Sequence, residues 1–294
     1  MTLEIIINKY LKFFYPRFFH EWENRNNFIF NEPERSVKAE RVNLCWSKSK
    51  IEEHENVGDY LALVITEEIL RENGHTLQDK VSETRFLYTI GSIVGRGYHD
   101  ATIWGSGLLK EKNALRCLRP KLDIRAIRGP ETRRILMSYG VQCPAIYGDG
   151  AVLLPRYYRP DLKKKWKYSL VLHHNSPQRK NWLEESKRYG IHYIEIQTTD
   201  YKKFVDEIVQ SEIVISSALH GIILSESYGV PAIFLKEDLG QDIKFKDWFW
   251  ATGRKDFKYI TDLNELAEEK CNSLPDLREM RERMLDAFPL DLWE

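Results

Sequence analysis

The chain has 294 residues, enough for one large domain or two ordinary ones. Lysine plus arginine equals aspartate plus glutamate at 44 each, so the net charge is zero and no overall field selects a nucleic acid as a partner. Four widely spaced cysteines form no C-x-x-C pair, which predicts reduced thiols in a cytoplasmic protein and excludes a metal site built on them.

Residues 1–20 interleave apolar and basic side chains, and this segment is too short and too charged to span a bilayer. One interpretation is an N-terminal helix packed on the following domain. The other is an amphipathic segment at the inner face of a membrane that carries a lipid-linked substrate.

The first half alternates strands and helices. Apolar runs predict strands over 41–46, 86–90, 100–104 and 122–127, and helices over 60–73 and 130–137. Polar or glycine-bearing loops follow these strands, which places Asn56, Gly58, Asp59, Ser106 and Arg128 at candidate ligand positions. The glycine spacing after residue 90 is not the dinucleotide fingerprint G-x-G-x-x-G, so we expect no such cofactor.

A charged segment over residues 156–167 is typical of an inter-domain connection, and a second α/β series follows it. The pattern predicts strands over 169–172, 191–196 and 213–215, and helices over 182–189, 201–210, 244–250, 262–271 and 276–287. As neighbours on a strand, His173 and His174 should point to opposite faces, with one of them facing the cleft. We predict two facing Rossmann-like, doubly wound α/β domains, 1–160 and 161–294.

The stretch from residue 213 to 235 contains the strongest candidate for chemistry. A β-branched run ends at Ser216 and Ser217, and a helix follows until Gly229 stops it. His220 lies in the first helical turn, where backbone N–H groups and the helix dipole favour an anion. A histidine here is either a buried structural residue or an acid–base group beside a bound phosphate or carboxylate.

Six segments resemble the polysaccharide pyruvyltransferase family, in family order: NVGDYL (56–61), IWGSG (103–107), IRGPETRRIL (127–136), YGDGAVLLP (147–155), SSALHGIILSESYGVPAI (216–233) and KFKDWF (244–249). The resemblance implies a GT-B-like fold and transfer of pyruvate from phosphoenolpyruvate onto two hydroxyls of a sugar as a ketal. It also implies that Arg128 binds phosphoenolpyruvate and that His220 is the signature histidine. Some members carry an arginine at the position of Ala218, so Lys244 or His174 would have to supply that charge here.

The expected site lies between the halves, with Arg128 and His220 catalytic and with no cofactor beyond the donor substrate. Its substrate-binding residues would be Asn56, Gly58, Asp59, Ser106, His174, Ser216, Ser217 and Lys244. The expected partners are phosphoenolpyruvate and a lipid-linked or nucleotide-linked sugar. Two alternatives stay open: a GT-B glycosyltransferase in which Glu226 holds the ribose of a nucleotide sugar, and a non-catalytic scaffold of a polysaccharide-assembly complex.

Overall fold

The computed structural model describes residues 37–47, 55–96, 100–118 and 121–294. The N-terminal segment over residues 1–20 therefore lies outside the described residues, and its two interpretations stay predictions. Within the described part of the chain, no helix has the length and apolar character needed to cross a membrane.

Within the described residues, eight strands form two parallel sheets of four strands each. The strands are β1 (Val42–Cys45), β2 (Arg85–Tyr88), β3 (Ala101–Trp104), β4 (Leu122–Ala126), β5 (Trp166–Val171), β6 (His192–Ile194), β7 (Ser211–Ser216) and β8 (Ala232–Phe234). The α-helices are α1 (Val57–Glu72), α2 (Pro130–Ser138), α3 (Leu154–Tyr157), α4 (Arg179–Arg188), α5 (Tyr201–Val209), α6 (Leu219–Ser227), α7 (Asp242–Ala251) and α8 (Arg278–Asp286). This architecture confirms the predicted α/β class with two Rossmann-like sheets; the domain boundaries stay a prediction.

The two sheets differ in strand order. The first runs β1-β2-β3-β4, whereas the second runs β6-β5-β7-β8, so its order reverses between β5 and β7. Ligands of open α/β sheets bind beyond the carboxyl ends of strands at such a reversal. The residues that follow β5 and β7 are therefore the best-placed ligand contacts in the second half.

The two halves meet through backbone and helix contacts. The N–H of Val57, at the start of α1, donates to the carbonyl of Ile196 after β6 at 2.9 Å. Asn56 and Gln197 form an antiparallel bridge beside this bond. Helix α7, from the second half of the sequence, packs against α2 of the first half. These contacts bring the loop before α1 to the carboxyl edge of the second sheet.

The predicted helix over residues 262–271 is wrong. Two short 3₁₀ helices, Leu263–Glu265 and Glu268–Lys270, occupy this segment. The Asp262 carboxylate accepts from the Asn264 N–H at 2.7 Å, and Glu265 accepts from the Asp262 N–H at 3.1 Å, so the first turn is capped on itself. Only Leu263 is buried within these two turns, so little packing supports a longer helix.

The predicted opposite orientation of His173 and His174 is also wrong. Strand β5 ends at Val171, so neither histidine follows the alternation of a pleated strand. Their rings stack, with centroids 4.3 Å apart and an interplanar angle of 28°. Both side chains therefore lie together after β5.

Candidate active site

The turn between β7 and α6 creates a helix start with open hydrogen-bond donors. The Ser216 hydroxyl accepts from the Ala218 N–H at 3.0 Å, and the Ser217 hydroxyl accepts from the His173 N–H at 2.9 Å. Both serines therefore shape the two loops that follow β5 and β7. Within the described residues, the first three N–H groups of α6, from Leu219 to Gly221, have no hydrogen-bond acceptor. Such groups favour an anion.

His220 packs against the backbone of Gly58 from the other half. A Cβ added to Gly58 would lie 1.8 Å from Nδ1, 2.0 Å from Cγ and 2.6 Å from Cβ of His220. Asn56 fixes this backbone, because its Oδ1 accepts from the Gly58 N–H at 2.9 Å. The glycine of the Asn-Val-Gly-Asp segment is thus needed for close approach between the halves.

Replacing Gly58 with alanine should displace the His220 ring, because the contact distances leave no room for a methyl group. A misplacement near 1 Å is worth about 10²-fold in rate, so we expect a loss of that order in kcat of the proposed activity below. Gly74→Ala at the other end of α1 is the matched control: its φ of 77° strains an alanine, but no atom lies within 4 Å. Equal rates in the two variants would contradict the packing role of Gly58.

Two histidines after β5 line the same region as neutral groups. The Asn56 side-chain nitrogen lies 3.3 Å from Nδ1 of His174, and Nδ1 of His173 accepts from the Asn175 N–H at 3.1 Å. Burial, together with the nearby Lys244, lowers the pKa of both rings, and that of His173 falls to about 2. They can therefore offer N–H donors to an anion but do not add positive charge.

Lys244 is a buried cation on α7. Burial, and secondly the charge of Arg128, lower its pKa to about 7, while Asp59 and Glu237 oppose this shift. Its ammonium group donates to the side-chain oxygen of Gln241 one turn earlier. A negative charge bound nearby would stabilise the charged form of this lysine.

Arg128 is buried at the end of β4 and is held by protein groups. Its Nε and Nη2 donate to Oδ2 of Asp247 at 3.2 and 3.0 Å. Its Nη2 also donates to the Leu108 carbonyl at 2.7 Å, and its Nη1 to the Ser92 hydroxyl. The fully buried Ser106 hydroxyl donates to the Gly91 carbonyl at 2.8 Å. Arg128 and Ser106 are thus buried and hydrogen-bonded to protein groups of the first half, and their contacts with a ligand stay a prediction.

The structure therefore brings most of the predicted residues to one place. Asn56, His174, His220 and Lys244 form one cluster with the start of α6, and Gly58 and Asp59 open the helix that faces it. Among the described residues, no three His, Cys, Asp or Glu side chains are grouped so that they could hold a metal ion.

Sequence reasoning missed two buried carboxylates beside the cluster. Oδ2 of Asp149 lies 3.5 Å from Nε2 of His220, and Asp247 holds Arg128. Both lie within segments that carry the family resemblance, YGDGAVLLP and KFKDWF. For Asp149 the available signal was a single charged residue inside an otherwise apolar motif.

A buried lysine and the start of α6 therefore lie near the strand reversal of the second parallel sheet. Residues 98–238 match the polysaccharide pyruvyl transferase family model. A curated relative, the succinoglycan biosynthesis protein ExoV of Rhizobium meliloti (strain 1021), is 29% identical over 136 residues, 45% of this chain and 41% of that protein. Over residues 98–238 the chain is thus similar to the polysaccharide pyruvyl transferase family.

A second relative comes from a virus. An uncharacterized protein of Acanthamoeba polyphaga mimivirus is 26% identical over 172 residues, which cover 56% of this chain and 59% of that protein. The chain thus spans less than two thirds of the length of each of these relatives.

Proposed function

We propose that the protein transfers pyruvate from phosphoenolpyruvate onto two hydroxyls of one sugar during polysaccharide biosynthesis. The observation that carries this proposal is the cluster itself: an imidazole, a buried lysine and a helix start with open N–H groups meet between the halves. The family match supports the reaction class. The four cysteines are free thiols, which suits a cytoplasmic site of action.

The chemistry needs both charge stabilisation and a proton donor. The donor's methylene carbon gains a proton, which makes the neighbouring carbon electrophilic, and two sugar hydroxyls form C–O bonds to that carbon while the C–O bond to phosphate breaks. Of the two hydroxyl protons released, one balances the proton taken by the methylene group and the other leaves with phosphate. His220 can carry the first proton.

The cations and N–H groups of the cluster suit the donor's carboxylate and phosphate. The three free N–H groups at the start of α6 would bind one anionic group. Lys244 would supply the charge that some family members place at the position of Ala218, which is here a buried alanine. The charge of Arg128, which acts on Lys244, would also stabilise a bound anion. A direct contact between Arg128 and the donor is part of the proposal.

The glycosyltransferase alternative needs a free carboxylate at Glu226 to hold a ribose. That side chain is fully buried, and its oxygens accept from the guanidinium of Arg254 and from the indole N–H of Trp248 at 2.6 Å. A ribose hydroxyl would have to break this network. The observation favours phosphoenolpyruvate as the donor.

The test is to incubate the full chain with phosphoenolpyruvate or with nucleotide sugars, in each case with lipid-linked and nucleotide-linked sugar acceptors. The proposal predicts phosphate release matched by acceptor that carries a pyruvate ketal. Release of nucleotide with glycosylated acceptor would support the glycosyltransferase alternative. No turnover with either donor across the acceptor set would favour the scaffold alternative.

The pKa of Lys244 gives this proposal a pH signature. Its pKa is about 7, so the lysine is increasingly neutral above that pH. A bound anion favours the charged form, so binding should take up a proton between about pH 7 and the ordinary lysine pKa near 10.4. We therefore expect the KM for phosphoenolpyruvate to rise as the pH increases above 7.

Calorimetry of phosphoenolpyruvate binding in buffers with different ionisation enthalpies measures this proton uptake directly. Lys244→Met should weaken binding and abolish the proton uptake. Lys246→Met is the matched control, because Lys246 lies on the same helix but over the Trp250 ring and is only partly buried. Proton uptake that persists in Lys244→Met would contradict the assignment.

A further inference from the structure

A carboxylate from the first half faces the proposed acid–base histidine of the second half. Asp149 lies in a glycine turn after the isolated bridge between Ile127 and Tyr147. It is fully buried, and its Oδ1 accepts from the Ala151 N–H at 3.0 Å. Its Oδ2 lies 3.5 Å from Nε2 of His220, and both of these atoms are buried with no hydrogen-bond partner among the described residues.

We propose that Asp149 is a positioning residue that holds the proton of His220 on Nε2, so that Nδ1 is the nitrogen that exchanges protons with the substrate. An ionised carboxylate can only accept, so the ring nitrogen facing it must be the protonated one. The role of Nδ1 in catalysis rests on the proposed pyruvyl transfer; the position of the ring proton does not.

The packing of Gly58 leaves the in-plane direction of Nδ1 open. A carbon at 1.8 Å from Nδ1, 2.0 Å from Cγ and 2.6 Å from Cβ of His220 cannot lie in the plane of the imidazole ring. Gly58 therefore covers the face of the ring, and the Nδ1 lone pair, which lies in the ring plane, is not directed at it. Asp149 and Gly58 together fix the tautomer and the orientation of His220 from two sides.

Asp149 is held rigidly enough for this role. The residues that follow it, Gly150–Leu153, form a 3₁₀ helix that is buried throughout. Helices α1 and α6 both contact this segment. A Cβ added to Gly150 would lie 2.8 Å from the Trp104 ring, so this turn also depends on a glycine. The carboxylate is thus fixed by the core that joins the two halves.

In the proposed reaction, protonated His220 would give its Nδ1 proton to the methylene carbon of phosphoenolpyruvate. The neutral ring that remains keeps Nε2–H against Asp149, and Nδ1 can then take a proton from a sugar hydroxyl. The carboxylate stabilises the imidazolium and keeps the ring in the productive tautomer, the role of the third member of a serine protease triad.

The first test needs no substrate and no variant of Asp149. In the full chain labelled with ¹⁵N-histidine, long-range ¹H–¹⁵N spectra at a pH where the imidazole is neutral report which ring nitrogen carries the proton. The His220 signals are those missing from His220→Gln. We expect protonated Nε2 and unprotonated Nδ1. The opposite tautomer in the wild-type protein would overturn the proposal, whatever the enzyme's activity.

The second test is Asp149→Asn. The asparagine oxygen can still accept from the Ala151 N–H, which directs its NH₂ group toward Nε2 and should move the ring proton to Nδ1. We expect this swap in the spectrum. With phosphoenolpyruvate, kcat should fall on the order of 10²- to 10⁴-fold while KM changes little, because the fully buried Asp149 is expected to act through His220.

The exposed Asp123, which pairs with Arg125, provides the matched control. Asp123→Asn should keep the wild-type tautomer and kcat. An unchanged His220 tautomer in Asp149→Asn, or a kcat like that of Asp123→Asn, would overturn the positioning role. A swapped tautomer in a protein whose wild type shows no pyruvyl transfer would leave the Asp149 contact standing and reject the proposed function instead.

Discussion

Replacing His220 with glutamine is expected to lower kcat for pyruvyl transfer by on the order of 10²- to 10⁴-fold, the usual worth of a positioned proton-transfer group. Glutamine keeps a polar side chain of similar length, so packing against Gly58 changes less than with alanine. The KM for phosphoenolpyruvate should change less than kcat, because Lys244 and the start of α6 remain to bind the donor. Steady-state kinetics with the active acceptor measure both parameters.

The matched control is His75→Gln, since His75 is a partly exposed histidine paired with Asp79. Its kcat should equal that of the wild type. A folded His220→Gln protein with near-normal turnover would end the catalytic assignment of this residue. A loss of activity explained by unfolding would appear as a lower denaturation midpoint, which the same samples report.

Local patterns in the sequence were sufficient to predict most of the elements around the site. The run from Ile213 to Ile215 lies within β7, and α6 ends just before Gly229, because strand runs and helix stops depend on neighbouring residues. The predicted serine cap is wrong: Ala218 is the N-cap of α6, and no side chain among the described residues caps this helix. The helix predicted over 262–271 does not form, because a helix there would need packing contacts that this segment does not make.

The contacts that assemble the site could not be predicted in this way. The approach of Gly58 to His220 and the pairing of Asp149 with His220 join residues far apart in sequence. A sequence pattern could place each of these residues at the end of a strand or the start of a helix. It could not determine which side chains meet across two sheets, since that depends on how the sheets pack.

Arg128 illustrates the same limit, because the sequence correctly placed it at the end of a strand but could not identify its partner. Asp247 lies 119 residues later, and the two side chains form a buried ion pair between the halves. The carboxylate also accepts from the N–H and hydroxyl of Thr132 at 2.7 and 2.6 Å. Arg128 therefore has a structural role in addition to the predicted anion binding.

Arg128→Met is accordingly expected to lower the free energy of unfolding by about 3–5 kcal/mol, because it leaves the Asp247 carboxylate buried without its counter-charge. The double variant Arg128→Met/Asp247→Asn should recover much of this loss, since a neutral amide no longer needs the cation. Urea denaturation measures the free energy of unfolding. Arg125→Met is the control: Arg125 is about a third exposed and pairs with Asp291, so its loss should cost about 0–1 kcal/mol.

The kinetic role of Arg128 can be separated from this structural role with Arg128→Lys. Lysine keeps the positive charge near Asp247 but offers no planar fork to a carboxylate or phosphate. If Arg128 binds the donor, the KM for phosphoenolpyruvate should rise strongly in Arg128→Lys under conditions where the variant is folded. A normal KM would limit Arg128 to holding Asp247, and through it helix α7 with Lys244. Arg128→Met as stable as Arg125→Met would instead contradict the structural role, because a buried ion pair cannot lose one partner without cost.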